Sequence, residues 1–192
     1  MNDYSDLLLY LISAAILLYA IWLVVPILFG LPYVPTQPRR IRQALTLAQV
    51  RPGEVVYDLG AGDGRVLIAA AQEFGARAVG IEISPLHCLV TWLRILRHGL
   101  GKQVTLRMQN LYAADLSDAD VVFAYMTSRQ AARLRPFLQR ALRPGTRVVT
   151  VAFDLDGWQP DEMDNIGLVF LYRMPPHAGG VGTFLEKKYI GG

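Results

Sequence analysis

The feature that most constrains this chain is "EVVYDLG" running directly into "DLGAGDGR", Glu54 to Arg65. A short β-branched run reaches glycines at 60, 62 and 64, and an amphipathic helical pattern follows as far as Phe74 and Gly75. Glycines at these positions let the backbone turn sharply and keep side chains from between the loop and a ligand. The free N–H groups at the helix start can then face polar or anionic groups. A strand, a tight loop and a helix in that order form the repeating unit of a parallel α/β sheet.

The rest of the chain from Pro38 onward extends that pattern. Pro38 to Ala48 reads as a helix with Ile41, Ala44, Leu45 and Ala48 on one side and arginines on the other. "AVGIEI" is a second strand ending at Ile83, and Ser84 with Pro85 opens the next helix as N-cap and first-turn residues. That helix is expected to bury Leu86, Leu89, Val90, Leu93 and Leu96 before closing at Gly99. "QVTLRM", "DVVFAY" and "TRVVTVAF" are strands three to five, with a helix over Ser128 to Leu142 expected to break at Pro136. "GLVFLYRM" and "GTFLEKKYI" are expected to pair as a terminal antiparallel hairpin.

The loop departs from two familiar phosphate binders. It reads G-x-G-x-G where a dinucleotide fingerprint needs G-x-G-x-x-G, and it lacks the GK[ST] of a P-loop. The second strand closes with Glu82, 24 residues after Asp58. That is where an α/β nucleotide site sets a carboxylate against ribose hydroxyls, since two acceptor oxygens can hold a vicinal diol.

Before the α/β region, no charged side chain occurs from Leu7 to Leu31, and much of the 53% apolar composition lies there. The stretch ahead of Pro26 alone spans about 28 Å as a helix, roughly the hydrocarbon thickness of a bilayer. Asp3 and Asp6 stand where a signal peptide would be basic, so a retained transmembrane anchor over 1–31 is expected. Arg39, Arg40 and Arg42 follow it with no Lys or Arg before it, which sets the globular part on the cytoplasmic, or matrix, side. Residues 32–50 then form a linker and amphipathic helix, and 51–192 the α/β domain. Cys88 is the only cysteine and the three histidines are scattered, so neither a disulfide framework nor a metal site is expected. The net charge of +3 is carried largely by arginines that suit anionic headgroups, and no nucleic-acid partner is expected.

D-x-G-x-G-x-G followed by an acid ending strand two resembles the class I, seven-strand S-adenosylmethionine-dependent methyltransferases. The resemblance implies a Rossmann-like seven-strand sheet with helices on both faces, here preceded by one transmembrane helix. It also implies S-adenosyl-L-methionine as cofactor, with Asp58, Gly60, Gly62 and Gly64 at the methionine moiety and Glu82 on the ribose. Asn110 would meet the adenine, at a position where aspartate is commoner. "PYVPT", "VRPGEVVYDLGAGDGR", "VGIEIS", "ADL" and "FDLDGWQP" are similar to the membrane-anchored protein-lysine N-methyltransferases, a group that includes the adenine nucleotide translocase and ATP synthase c-subunit lysine methyltransferases and prokaryotic relatives. This similarity implies a lysine side chain of a protein, in or near the same membrane, as acceptor. It also makes Tyr33 and Thr36 candidates to line the cofactor or substrate entrance.

Methyl transfer from a sulfonium needs alignment and exclusion of water more than a catalytic triad, and none is visible. A lysine must lose its proton before it attacks, so a phenol or carbonyl oxygen at the carboxyl end of strand four or beyond strand five would help. Tyr125 is the candidate catalytic residue. Trp158 could hold a cation on its ring face, and Asp154 and Asp156 could attract a cationic substrate. Two alternatives stay open: a methyltransferase for a membrane-dissolved quinone or lipid, and a non-catalytic membrane scaffold with the same fold.

Overall fold

In the computed structural model, residues 3–28 and 35–189 are described, and they fall into two units, Met1–Val34 and Pro35–Gly192. The first unit holds one helix, α1 (Asp3–Leu28), which continues past Pro26. Its Tyr4–Ile21 stretch is long and apolar enough to cross a membrane and has no buried residue.

The second unit contains α2 (Pro38–Leu47), β1 (Val55–Leu59), α3 (Arg65–Phe74), β2 (Arg77–Glu82), α4 (Pro85–Arg97), β3 (Val104–Met108), β4 (Val121–Tyr125), α5 (Ser128–Ala141), β5 (Arg147–Val151), β6 (Trp158–Gln159), β7 (Glu162–Asp164), β8 (Val169–Arg173), β9 (His177–Ala178) and α6 (Val181–Tyr189). Seven strands form one sheet in the order β3-β2-β1-β4-β5-β8-β7. The first five are parallel and β8 runs antiparallel to both β5 and β7. The fold is therefore the expected Rossmann-like α/β sheet. Every residue of β1, β4 and β5 is buried except half-buried Tyr125, as strands covered on both faces require. Alternation along β1 sends Val56 into a core with α2, α3 and α4, and Val55, Tyr57 and Leu59 into a second core with α5.

Three expectations fail. The terminal segment is the helix α6, not a strand; the place beside β8 is filled by Glu162–Asp164, which pairs with it from the other direction in sequence. α6 buries Phe184 and leaves Lys187 and Lys188 exposed. Next, α5 runs unbroken through Pro136. Pro136 forfeits one backbone hydrogen bond, but Leu134, Phe137 and Leu138 on either side are buried and hold the helix to the sheet. Finally, α4 turns Leu86, Leu89, Val90, Leu93 and Leu96 outward and buries Thr91 and Ile95. α4 lies so close to the glycine loop that a small Thr91 occupies the contact: a Cβ on Gly64 would sit 2.5 Å from its Cγ2.

Candidate active site

Because β1 to β5 are parallel, the segments after them emerge at one edge of the sheet. The chain reverses its direction of build between β1 and β4, and ligands of open α/β sheets bind at that crevice. The glycine loop after β1, Glu82 at the end of β2, Asn110 after β3 and Tyr125 at the end of β4 are thereby brought to one edge.

The loop adopts positive φ at all three glycines, +89° at Gly60, +54° at Gly62 and +76° at Gly64. A Cβ on Gly60 would meet nothing within 4 Å, so open space lies beside the backbone there. Glu82, 7% exposed, holds the loop in place. Its Oε2 accepts from Gly62 N–H at 2.8 Å, and its Oε1 accepts from Ile83 and Ser84 N–H at 2.9 and 2.8 Å. Thr91 braces the loop from α4 by donating to the Gly62 carbonyl at 2.7 Å.

The electrostatics of the loop are set by three acids. Asp58 is buried and its carboxyl is pushed up to about 8, first by burial, then by the charges of Glu82 and Asp63. Asp63 is neutralised instead: Arg65 and Arg94 reach its Oδ2 at 2.6 and 2.7 Å. Arg65 also donates to the Thr36 carbonyl at 3.0 Å, which ties the buried residue ahead of α2 to the glycine loop. The turn that follows α2 is held by Arg147, whose guanidinium donates to the Ala48 and Gln49 carbonyls and to Glu54. Asn110 is exposed and its Oδ1 accepts from Tyr112 N–H at 3.0 Å, capping a short turn after β3. Half-buried Tyr125 packs against the α2–α4 core.

Tyr33 lies outside the described residues. Trp158 is no open aromatic face, since it is 3% exposed and packs edge to face on Tyr172, ring centroids 5.7 Å apart. Its segment is fixed by Thr150, which donates to the Phe153 carbonyl, and by the Tyr172 hydroxyl, which accepts from Leu155 N–H. Phe153 and Leu155 turn inward and Asp154 and Asp156 remain exposed. The Asp63–Arg65–Arg94 cluster and the Thr91 brace escaped sequence reasoning. Asp63 and Arg65 pair within "GDGR" itself, but Arg94 and Thr36 lie 31 and 29 positions from them and no local spacing connects these partners.

This edge can take a ligand that carries positive charge toward Asp58 and hydroxyl donors toward Glu82, with the open space at Gly60 to receive it. S-adenosylmethionine, a sulfonium and ammonium cation with a ribose, meets those terms. The comparisons agree. A family profile described as the ANTKMT methyltransferase domain matches residues 58–162. A protein-lysine N-methyltransferase of Saccharolobus islandicus is 35% identical over 153 residues, covering 76% of this chain and 95% of the relative. The adenine nucleotide translocase lysine N-methyltransferase of Mus musculus is 31% identical over 176 residues, 88% of this chain and 76% of that protein. Among solved structures, an RNA methyltransferase from Salinibacter ruber in complex with S-adenosyl-L-homocysteine is 39% identical, with a TM-score of 0.73 over 76% of this chain and 97% of its own. The chain belongs to the ANTKMT methyltransferase family, S-adenosylmethionine-dependent methyltransferases built on this sheet.

Proposed function

We propose that this protein is a membrane-anchored protein-lysine N-methyltransferase. The reading is carried by the match to lysine methyltransferases across most of the chain, joined to a glycine loop whose acids are arranged for a cation. When bound, S-adenosylmethionine supplies an electrophilic methyl carbon. Asp58 would stand toward its positive groups and Glu82 toward its ribose, while Gly60, Gly62 and Gly64 give it backbone to lie against. Asn110 keeps a carbonyl acceptor for the adenine amine. The network from Asp63 through Arg65 to Thr36 fastens the segment ahead of α2 beside the loop, a position from which Thr36 would border the entrance; Tyr33 is proposed for the same role on its sequence context alone.

The acceptor lysine must arrive as a neutral amine. Tyr125, at the carboxyl end of β4, is the phenol we assign to receive a hydrogen bond from it, and the exposed Asp154 and Asp156 would draw the cationic side chain in. α1 is the anchor in this reading, with Arg39, Arg40 and Arg42 holding the catalytic unit on the cytoplasmic or matrix side.

The solved relative described as an RNA methyltransferase favours a second reading, an RNA acceptor at the same site. Mass spectrometry of membrane proteins and of total RNA, from cells with and without this gene, separates the two. A methyl-lysine that disappears with the gene supports the protein acceptor. A nucleoside methylation that disappears in its place overturns it.

A further inference from the structure

The outward face of α4 is the least expected surface of the molecule. At about 100° per residue, Leu86, Leu89, Val90, Trp92, Leu93 and Leu96 cover the arc opposite buried Thr91 and Ile95, with only Arg97 among them. Leu93 and Leu96 are each 52% exposed and Trp92 is 51% exposed. A helix on the surface of a soluble unit normally turns polar residues outward, and an apolar patch of this size marks a contact surface. Met108, beside Glu82 in the sheet register on edge strand β3, is a further apolar side chain left 64% exposed.

Its charge says what it meets. From Ile83 to Ala114 there is no Asp or Glu, while Arg94, Arg97, Lys102 and Arg107 are basic. Arg94 is committed to Asp63 and Arg107 lies over the Tyr57 ring, but Arg97 and Lys102 are exposed at the end of α4 and just beyond it. Leucines and a tryptophan edged by cations form the pattern of a helix lying in a lipid interface, and anionic headgroups complement the charge.

We infer that α4 is a membrane-resting helix, its Leu86–Leu96 face seated in the headgroup and upper acyl region of an anionic bilayer. The apolar and cationic character of the face carries this inference independently of the anchor and the lysine acceptor proposed above. Seated this way, the Glu82 edge of the cofactor site lies level with the membrane surface, which selects acceptors at that depth.

The chain has three tryptophans, Trp22, Trp92 and Trp158. The test uses the full chain carrying Trp22→Phe in phosphatidylcholine vesicles containing phosphatidylglycerol, with or without acyl-brominated lipid. Trp92 emission should be quenched by the brominated lipid, and the loss should vanish with Trp92→Phe, because the remaining Trp158 is buried. Leu89→Glu with Leu93→Glu should also remove it. Equal emission with and without bromine overturns the inference, and a face covered by a second copy of the chain would give that result. Methyl-lysine formation is read on matching samples that also hold methyl-labelled S-adenosylmethionine and membrane proteins from cells lacking this gene. Quenching without methyl-lysine refutes the lysine reading alone, and methyl-lysine without quenching refutes the membrane-resting helix alone.

Discussion

Asp58 is a carboxyl whose burial and acidic neighbours favour the neutral form, and two expected outcomes follow from that. Its pKa is raised from 3.8 to about 8 in the folded chain, so between those values the folded state holds a proton that the unfolded state has released. Stability therefore falls as pH rises from about 4 to about 8, and urea midpoints measured across that window should decline. Asp58→Asn should flatten the decline. A cation beside the carboxyl favours its ionised form, so S-adenosylmethionine affinity should rise over the same window in the wild type and lose that dependence in Asp58→Asn, as calorimetry would read. Glu82 receives three backbone N–H groups, and in the proposed function it also faces the ribose. Glu82→Gln keeps the shape but puts a donor where acceptors are needed, so affinity for the cofactor should fall by tenfold or more, an order-of-magnitude expectation for a charge-assisted bond worth about 1.5–3 kcal/mol.

At the scale of elements, the loop and helices α3 and α4 form one braced unit. Gly64→Ala combines a left-handed φ with a Cβ 2.5 Å from Thr91 Cγ2, so a loss of about 1–3 kcal/mol in chemical denaturation is expected. Thr91→Ala removes the hydrogen bond to the Gly62 carbonyl and leaves that acceptor unpaired, with a loss of about 1–3 kcal/mol. In Gly64→Ala combined with Thr91→Ala the clash is relieved, so the two losses should add to less than their sum. Elements were legible in the sequence where local chemistry decides them. Ser84, whose Oγ accepts from His87 N–H, Pro85 in the first turn and Gly75 at φ +66° all mark helix ends where the residue types said they would. The faces of α4 were not legible, because the leucine spacing fixes a stripe but not which way it points. That direction is decided by Thr91 against the glycine loop, a contact across 29 positions. α6 is hidden in the sequence for a related reason: "GTFLEKKYI" is too short for periodicity to separate helix from strand, and the strand position beside β8 is filled by Glu162–Asp164.

For the whole molecule, the parallel sheet explains why so much of the candidate site could be read from residue types alone. The ends of β1, β2, β3 and β4 must meet at one edge, so Asp58, the glycines, Glu82, Asn110 and Tyr125 are gathered by topology before any side-chain contact is considered. What the sequence concealed is the set of contacts that lock this edge, from Asp63 through Arg65 to Thr36, since these join segments that only the fold makes neighbours. An apolar α1, the exposed leucines of α4 and relatives named as protein-lysine methyltransferases support the proposed transfer at a membrane surface. The direct measurement is incubation of the full-length protein with methyl-labelled S-adenosylmethionine and membranes, followed by hydrolysis of the protein fraction and separation of its amino acids. The account expects label in methyl-lysine, and at least about tenfold less of it with Glu82→Gln at subsaturating cofactor. Label confined to the RNA or the lipid extract, with no methyl-lysine, would contradict it.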